Sequence, residues 1–219
     1  MKAIDLTHII NEKMPVYPGT DTPKLTPVNT YKKDGFKETF LQMYTHTGTH
    51  VDPPAHIYEG KKTLDEFPID QFIGKALVID CRMLKEGESI TMENLKVYGE
   101  KTDMADFLLF NLGWDKRWGS DEYFGDYPCI DDEVMDYILK GNYKGIGFDV
   151  MGLDPIADEN LIRHKKLFEN CDIINIENSL NKKVSIYQSI LSYNIINDIE
   201  DKKGVGDIKN NESMDIYLN

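Results

Sequence analysis

Three of the five histidines fall in one short segment, which reads His46-Thr-Gly-Thr-His50-Val-Asp52-Pro-Pro-Ala-His56. Imidazoles and carboxylates at close spacing are typical of transition-metal sites. His46 and His50 have the i, i+4 spacing of a helical site. However, Gly48 is a poor helix residue, and the two prolines after Asp52 would break any continuing helix. The segment is therefore predicted to be extended rather than helical.

In an extended strand the side chains alternate between two faces, so positions 46, 48, 50 and 52 share one face. Two imidazoles and one carboxylate then converge, and Gly48 is expected to leave a gap for an ion. The two prolines end the strand and place His56 beside the site, outside the alternation. Such ligands suit zinc, manganese or iron better than calcium or magnesium. We expect one or two divalent ions, with zinc the first choice and manganese the second.

Further ligands are expected, because two histidines and one aspartate seldom complete a site. His164 lies in a helical stretch, and Glu177 follows the next strand-like run. A helix, a short turn and a strand would bring both side chains to one end of a sheet. Either residue taken alone is more often structural. His8 follows a probable first strand, and the sequence leaves open whether it supports the site or lies on the surface.

Short strand-like and helical patterns alternate along the chain and predict a single α/β domain over residues 1–219. The predicted strands are Ala3–Leu6, Glu38–Thr45, Ala76–Asp80, Phe107–Leu112, Gly145–Val150 and Ile173–Ile176. The predicted helices are Thr91–Tyr98, Asp131–Lys140, with Asp131 or Asp132 as its N-cap, and Asp158–Glu169. Proline-rich Met14–Pro27 is predicted to be a loop, and the polar tail after Lys202 an edge strand or a partly disordered segment.

The net charge of -13 argues against nucleic acid and anionic membranes as partners, and a small molecule is expected instead. Neither a signal peptide nor a membrane-spanning run is recognisable. Three widely spaced cysteines, Cys81, Cys129 and Cys171, form no CxxC pair and are expected to be reduced thiols. A cytoplasmic location is expected.

The histidine segment resembles the HxGTHxDxxxH signature of the cyclase-like metal-dependent hydrolases, a family that includes bacterial kynurenine formamidase and isatin hydrolase. Every fixed position of that signature is matched, and the resemblance covers roughly residues 3–180. Further parts that resemble the family are Asp5-Leu-Thr-His8, the substrate loop Met14-Pro-Val-Tyr-Pro-Gly19, Gly147-Phe-Asp-Val-Met-Gly-Leu-Asp154, and His164 through Glu177-Asn178.

This resemblance implies specific roles for the site residues. His46, His50 and Asp52 would bind a first metal, and Asp52 and Glu177 would bridge to a second that His164 completes. His56 would be the acid–base residue, and Tyr17 would contact substrate. The implied fold is the swivelling β/β/α type, usually assembled as a homodimer or homotetramer.

The chain departs from the family at two places. Kynurenine formamidases carry a tryptophan in the loop where this chain has Tyr17, which puts that substrate in doubt. Many members also end in a Pro-Leu … Gly-Ser-Pro-x-Arg segment, whereas this chain has Ser192-Tyr-Asn-Ile-Ile and Asp201-Lys-Lys-Gly-Val-Gly206. The C-terminal wall of the pocket is therefore expected to differ.

The resemblance implies hydrolysis of an amide-type C–N bond in a formamide or cyclic amide. A metal ion would acidify water and polarise the carbonyl, while His56 takes up the proton and returns it to the leaving nitrogen. Two alternatives stay open: a metal-dependent lyase or isomerase acting beside a carbonyl, and a non-catalytic metal-binding module. Aromatic candidates to line the pocket are Tyr17, Trp114, Trp118, Tyr123 and Phe124, and a position in the core or at an interface stays equally open for each.

Overall fold

The computed structural model describes residues 5–180 and 188–189. Its strands are β1 (Lys24–Asn29), β2 (Glu38–Gln42), β3 (His50–Asp52), β4 (Lys75–Asp80), β5 (Ser89–Ile90), β6 (Phe107–Asn111), β7 (Cys129–Ile130), β8 (Gly145–Phe148), β9 (Ile174–Glu177) and β10 (Gln188–Ser189). Its α-helices are α1 (Tyr31–Asp34), α2 (Met92–Lys96), α3 (Asp132–Lys140) and α4 (Ile162–Asn170). Turns of 3-10 helix lie at Pro54–His56, Leu64–Glu66, Ile69–Phe72, Gly99–Lys101, Trp114–Arg117 and Asp121–Phe124.

A six-stranded mixed sheet in the order β10-β4-β6-β8-β9-β3 forms the centre of the fold. The strands β4, β6, β8 and β9 are parallel, whereas β3 runs antiparallel to β9. Both faces of β6 are buried, as its uninterrupted apolar sequence requires. Leu108 and Phe110 face the larger apolar cluster, which includes buried residues of α3 and α4, and Phe107 and Leu109 face the smaller one. The observed class is the α/β fold that the sequence predicts.

All three predicted helices are present, and one of them begins later than predicted. Asp131 caps α3 by accepting a hydrogen bond from the Val134 backbone N–H at 2.8 Å. Helix α4 begins at Ile162 rather than at Asp158. Leu161 before it has φ +52°, in the left-handed region, and the Asp158 carboxylate accepts a hydrogen bond from the Ile162 N–H at 3.2 Å. Asp158 therefore belongs to the turn that precedes the helix.

The prediction of a loop over Met14–Pro27 is wrong in its last residues, because β1 begins at Lys24 and pairs antiparallel with β2. Pro27 is tolerated in this strand because β1 is an edge of a two-stranded ribbon. The strand predicted over Ala3–Leu6 is not seen at its described residues, 5 and 6. The tail after Lys202 and the two divergent C-terminal segments lie outside the described residues.

Within the described residues, no helix has the length and apolar character that a membrane span requires. The three cysteines are free thiols, and Cys81 and Cys129 are buried. Burial raises the pKa of each of these two thiols to about 12, so they are unreactive at neutral pH.

Candidate metal centre

The site is built where β3 pairs with β9 at the edge of the central sheet. In this antiparallel pair His50 lies opposite Glu177, and Asp52 lies opposite Asn175. Residues two apart on a strand share a face, so all four side chains point to the same side of the sheet. The pairing therefore places one imidazole and two carboxylates together.

The extended path predicted for residues 46–49 is wrong, because these residues form a bend and the strand begins only at His50. Gly48 has φ +67°, which breaks the alternation. A Cβ atom at Gly48 would lie 2.7 Å from Met14 Cε, so methionine, not an ion, fills the space beside this glycine. The glycine has another use: its carbonyl oxygen lies 2.9 Å from His50 Nδ1, which directs His50 Nε2 toward the carboxylates.

His46 nevertheless reaches the same point, from the bend rather than from the strand. His46 Nδ1 lies 2.7 Å from Asp52 Oδ1, and His50 Nε2 lies 3.1 Å from that same oxygen. These three residues offer ligand atoms within 4.8 Å of one another. Asp52 is fully buried, whereas the His46 side chain keeps about a third of its surface accessible.

A second group of potential ligands shares Asp52 with the first. Helix α4 presents His164, whose Nε2 lies 3.1 Å from Glu177 Oε1 and 3.6 Å from Asp52 Oδ2. All three residues are buried, and their ligand atoms also lie within 4.8 Å of one another. The structure thus brings His164 and Glu177 to the first group, with Asp52 between them.

The buried polar atoms of this cluster fit a divalent metal ion. His50 Nε2 and Asp52 Oδ1 are buried and make no hydrogen bond with acceptable geometry to the described residues. An imidazole nitrogen and a carboxylate oxygen buried in this way are costly without a cation or a proton between them. The mixed nitrogen and oxygen donors suit a transition metal.

Two residues that the sequence pattern does not mark as ligands hold the ligands in place. Asp154 Oδ2 lies 2.7 Å from His164 Nδ1, which leaves Nε2 as the nitrogen that faces the carboxylates. Asn175 donates from Nδ2 to Glu177 Oε1 at 2.8 Å and to Asp52 Oδ2 at 3.2 Å. Asp154 ends one of the segments that resemble the family, and Asn175 lies two residues before Glu177, the spacing of a shared strand face. That spacing is the sequence signal for Asn175.

The charges of the cluster shift its pKa values strongly. Burial lowers the pKa of His50, but the Asp52 carboxylate opposes this effect and Glu177 adds to the opposition, raising the pKa to about 9. Burial likewise disfavours the charged form of His164 and works to lower its pKa. The hydrogen bond to Asp154 outweighs this effect of burial, so the pKa of His164 is also raised. Burial works to raise the pKa of Asp52, whereas His50 and the other imidazoles hold it well below its ordinary value. Without metal, protons therefore occupy the cluster.

His56 lies beside the cluster on the 3-10 turn Pro54–His56. Its ring contacts that of His46, with 3.9 Å between centroids, and is 5.8 Å from that of His164. It is solvent-accessible, unlike His50 and His164. Partial burial lowers the pKa of His56, so a large fraction is neutral at pH 7 and able to accept a proton.

A cavity of about 460 Å³ opens over the cluster, a size that suits a small molecule. Tyr17 lines it, and the Tyr17 hydroxyl donates to the Ile156 carbonyl at 3.4 Å. The other four aromatic candidates take the core alternative and pack in or against the apolar core, whereas Tyr44 and Tyr127 line the cavity with Tyr17. The four are Trp114, Trp118, Tyr123 and Phe124.

His8 is buried rather than on the surface. Its ring stacks on Trp118, with 3.7 Å between centroids, and its backbone N–H donates to Thr49 Oγ1 at 2.9 Å. Thr49 Oγ1 in turn donates to the Asn178 carbonyl at 2.6 Å. His8 therefore stabilises the segment between His46 and His50 through its hydrogen bond to Thr49, and it is not part of the ligand cluster.

Comparison with known proteins identifies relatives of this chain. The family model described as putative cyclase matches residues 4–155. A kynurenine formamidase of Geobacillus thermodenitrificans is 30% identical over 167 residues, which cover 75% of this chain and 76% of the relative. A predicted metal-dependent hydrolase from Bacillus stearothermophilus is 27% identical with a TM-score of 0.67, covering 84% of this chain and 85% of its own.

A structure of an isatin hydrolase bound to the product analogue thioisatinate has a TM-score of 0.73 and 19% identity. The alignment covers 84% of this chain and 82% of that one. At this identity the likeness concerns the fold, and it agrees with the α/β class seen here.

Proposed function

The chain belongs to the putative cyclase family, and from this we propose that it is a metal-dependent hydrolase of amide-type C–N bonds. The observation that carries the proposal is the double ligand cluster around Asp52, which opens into a cavity with His56 at its side. Three imidazoles and two carboxylates focused on one point are costly to bury unless a cation is bound. The cavity gives a small molecule access to that point.

In this proposal His46, His50 and Asp52 hold one divalent ion, and Asp52, His164 and Glu177 hold a second. Zinc is the first choice and manganese the second, because both accept imidazole and carboxylate ligands. A bound ion supplies a Lewis acid that polarises the substrate carbonyl and acidifies water from a pKa of about 16 to about 7.

The chain's own residues supply the proton transfers and the orientation. His56 Nδ1 or Nε2 accepts the proton of the attacking water and returns it to the leaving nitrogen. Asp154 keeps His164 in one tautomer, and the Gly48 carbonyl does the same for His50. Tyr17 contacts the substrate from the loop at the mouth of the cavity.

The relatives suggest the substrate class. Kynurenine formamidase and isatin hydrolase are named for a formamide and a cyclic amide, each on an aromatic ring. We extend this class to the present chain, as a small-molecule substrate acted on by a single-domain homodimer or homotetramer in the cytoplasm. Tyr17, where kynurenine formamidases have tryptophan, leaves the individual compound open within the class.

The test is a substrate panel with protein of measured metal content. N-formylated aromatic amines, cyclic imides and aromatic lactams are offered to the zinc-loaded and manganese-loaded forms, with product identified by mass. A gain of one water with cleavage of the C–N bond is expected. A product of unchanged mass would establish an isomerase, and a product formed by loss of a fragment without added water would establish a lyase.

Asp52→Asn is the matched negative variant, and Asp70→Asn, the same change at an exposed position, is its control. Asp52→Asn should lose both bound metal and activity, whereas Asp70→Asn should keep both. Full metal content in Asp52→Asn would contradict the proposed ligand set, and turnover without metal would contradict the proposed reaction.

A further inference from the structure

The carboxylate oxygens of Glu177 are not equally free to bind an ion. Glu177 Oε1 accepts hydrogen bonds from the Leu153 backbone N–H at 2.8 Å and from Asn175 Nδ2 at 2.8 Å. An ionised carboxylate oxygen offers about two lone-pair positions, so these donors occupy it. Glu177 Oε2 makes no hydrogen bond to the described residues and lies 3.6 Å from His50 Nε2. Glu177 therefore presents its free oxygen to His50, a ligand of the first group.

Asp52 shows the same division between its two oxygens. Asp52 Oδ2 accepts a hydrogen bond from Asn175 Nδ2 at 3.2 Å. Asp52 Oδ1 is buried without such a bond to the described residues, and it lies close to His46 Nδ1 and His50 Nε2. In both carboxylates, the oxygen that faces the first group is thus left for an ion, whereas the other oxygen already has an N–H donor.

Asn175 is the residue that donates to both occupied oxygens. It is completely buried on β9, between the strands of Asp52 and Ile146. Ionised carboxylates only accept hydrogen bonds, so the amide must turn its nitrogen rather than its oxygen toward them. In this orientation Asn175 Oδ1 is buried without a partner among the described residues, which is unfavourable. The contacts of Nδ2 with Asp52 and Glu177 outweigh that cost.

An ion at the second position would compete with Asn175 for the same oxygens. His164 Nε2 lies 3.6 Å from Asp52 Oδ2 and 3.1 Å from Glu177 Oε1, which are the two oxygens that accept from Asn175 Nδ2. The amide NH₂ group has only donors and cannot itself be a ligand. An ion that uses these oxygens must displace their N–H donors, and the lost hydrogen bonds lower its affinity. The first position carries no such cost.

The two positions also differ in their access to the cavity. The first group includes His46, whose side chain is partly accessible and whose ring contacts that of His56. In the second group, by contrast, all three residues are buried. An ion at the first position is therefore the more accessible to water and substrate, and it lies beside the residue proposed to transfer protons.

We propose that the two metal positions are unequal in affinity and that Asn175 makes them so. The first position holds one resident ion through His46, His50, Asp52 Oδ1 and Glu177 Oε2. The second position takes up an ion only reversibly, because that ion must displace Asn175 Nδ2 from Asp52 and Glu177. This inference deepens the proposed function and rests on it, since it assigns the reaction to the resident ion.

The unchanged full chain tests the inequality directly. The metal-free protein is titrated with zinc against a competing chelator, and the zinc that remains after dialysis is measured by elemental analysis. We expect one zinc per chain to remain. A second zinc should bind roughly 10–100-fold more weakly, the cost of displacing a hydrogen bond to a charged acceptor. Two zinc ions that bind with equal affinity would overturn the proposal.

Two variants test the role of the amide by a gain of affinity. Asn175→Asp keeps the shape but replaces the donor by a charged acceptor, so it should tighten binding of the second zinc by roughly tenfold or more. Asn175→Leu is similar in size and has no donor to displace, so it should tighten the same step several-fold. Asn170→Asp, the same change at an exposed position of α4, is the control and should leave both affinities unchanged.

A purely supporting role for Asn175 predicts the opposite sign, because loss of a group that orients metal ligands weakens metal binding roughly 10–100-fold. Weaker or unchanged binding of the second zinc in both Asn175 variants would therefore overturn the role given to the amide. If Asn175→Asp does not fold without metal, Asn175→Leu and the unchanged chain still decide the question.

Failure of this inference is distinguishable from failure of the proposed function. A chain that binds no zinc would overturn both. A chain that holds two equivalent zinc ions and hydrolyses an amide would overturn the inequality alone. A chain with one tight and one weak zinc that cleaves no C–N bond would overturn the proposed reaction, whereas the zinc affinities would still support the role of Asn175.

Discussion

At the scale of single residues, the position of His56 separates it from the buried ligands. His50 and His164 are held by hydrogen bonds to Gly48 and Asp154, whereas His56 meets the site through ring contacts with His46 and His164. A residue that holds metal is fixed in place, and a residue that carries protons must reach both the water and the leaving group. This arrangement assigns the proton transfers to His56.

His56→Ala is expected to keep its bound metal and to lower kcat by roughly 10²–10⁴-fold, the usual contribution of a general base. Partial burial lowers the pKa of His56, so the acidic limb of its pH–rate profile should lie below pH 6.5 in the unchanged protein and disappear in the variant. Metal analysis and pH–rate profiles of both proteins test this. Loss of metal in proportion to activity would make His56 a ligand, and Glu177 would become the next candidate for the base.

At the same scale, Gly48 has a steric role that composition alone does not reveal. Its φ is +67°, and a Cβ atom added there would lie 2.7 Å from Met14 Cε, so both the backbone and the contact oppose a side chain. Gly60 has φ +79° but nothing within 4 Å of such a Cβ. The two glycines therefore separate the cost of the backbone conformation from the cost of the contact.

Gly48→Ala should lower the free energy of unfolding by more than Gly60→Ala does. The left-handed conformation costs roughly 1–2 kcal/mol in both variants. Overpacking against Met14 should add roughly 1–3 kcal/mol in Gly48→Ala alone. Urea denaturation measures both, and in a Met14→Ala background the excess cost of Gly48→Ala should vanish. Equal costs in the two variants would show that Met14 moves aside freely.

At the scale of elements, the sequence predicts well those strands whose identity depends on buried apolar runs. The predicted strands Ala76–Asp80 and Phe107–Leu112 agree with β4 and β6 to within one residue at each end. Such strands are covered on both faces, so their sequence alone distinguishes them. By contrast, β1 is not predicted, because its proline and polar residues give no apolar alternation. Only its pairing with β2 makes it a strand.

The metal centre likewise combines features that local sequence predicts with features that depend on contacts distant in sequence. The residues that meet at Asp52 follow from the sequence for different reasons. Strand spacing places His50 beside Asp52, whereas His46 reaches the cluster from a bend, and the ligand roles of His164 and Glu177 are implied by the family resemblance.

The bend at residues 46–49 is not predicted, since Gly48 takes φ +67° there and Met14, distant in sequence, occupies the space that a Cβ atom would need. The role of Asp154 is also non-local, because it joins the start of α4 to the cluster through His164.

Helix α4 offers a matched test of that role, because two carboxylates bind its first turn and only one touches the imidazole. Asp154 accepts from the His164 backbone N–H at 3.0 Å and lies 2.7 Å from its Nδ1. Asp158 accepts from the Ile162 N–H at 3.2 Å and does not contact His164. Removing either carboxylate weakens the N-terminal cap of α4, but only removal of the Asp154 carboxylate frees the His164 imidazole.

Asp154→Ala should therefore weaken zinc affinity about 10–100-fold, the usual cost of losing a carboxylate that orients a metal-binding histidine. Asp158→Ala should leave the affinity near that of the unchanged protein while lowering its stability by a similar amount through the lost cap. Titration calorimetry against a competing chelator, together with thermal unfolding, separates the two effects. Equal zinc affinities in both variants would reduce Asp154 to a helix cap.

At the scale of the whole molecule, metal binding and folding should be linked through the buried cluster. Asp52, Glu177 and His164 join β3, β9 and α4, so the ligands tie distant parts of the chain together. A ligand that binds only the folded state stabilises it by about 2.7 kcal/mol when its concentration is 100 times its dissociation constant. Removing metal with a chelator should therefore lower Tm by roughly 5–10 °C in a protein of this size.

The loss of Tm on metal removal should depend on pH. The pKa of His50 determines whether that loss grows or shrinks as the pH rises. In the metal-free protein burial works to lower that pKa, but the Asp52 carboxylate prevails and raises it to about 9. A pKa above the unfolded value of about 6.5 means that the protonated His50 stabilises the metal-free fold fully below pH 6.5. This stabilisation is lost as the pH rises through about 9. A metal ion instead requires the neutral imidazole, so protons compete with it.

The difference in Tm between the metal-loaded and metal-free protein is thus expected to widen from pH 6.5 to pH 9. Differential scanning calorimetry of both forms across this range measures it, and His56→Ala, which leaves His50 in place, serves as the control and should show the same widening. A difference that stays constant or narrows with pH would mean that His50 is neutral in the metal-free protein.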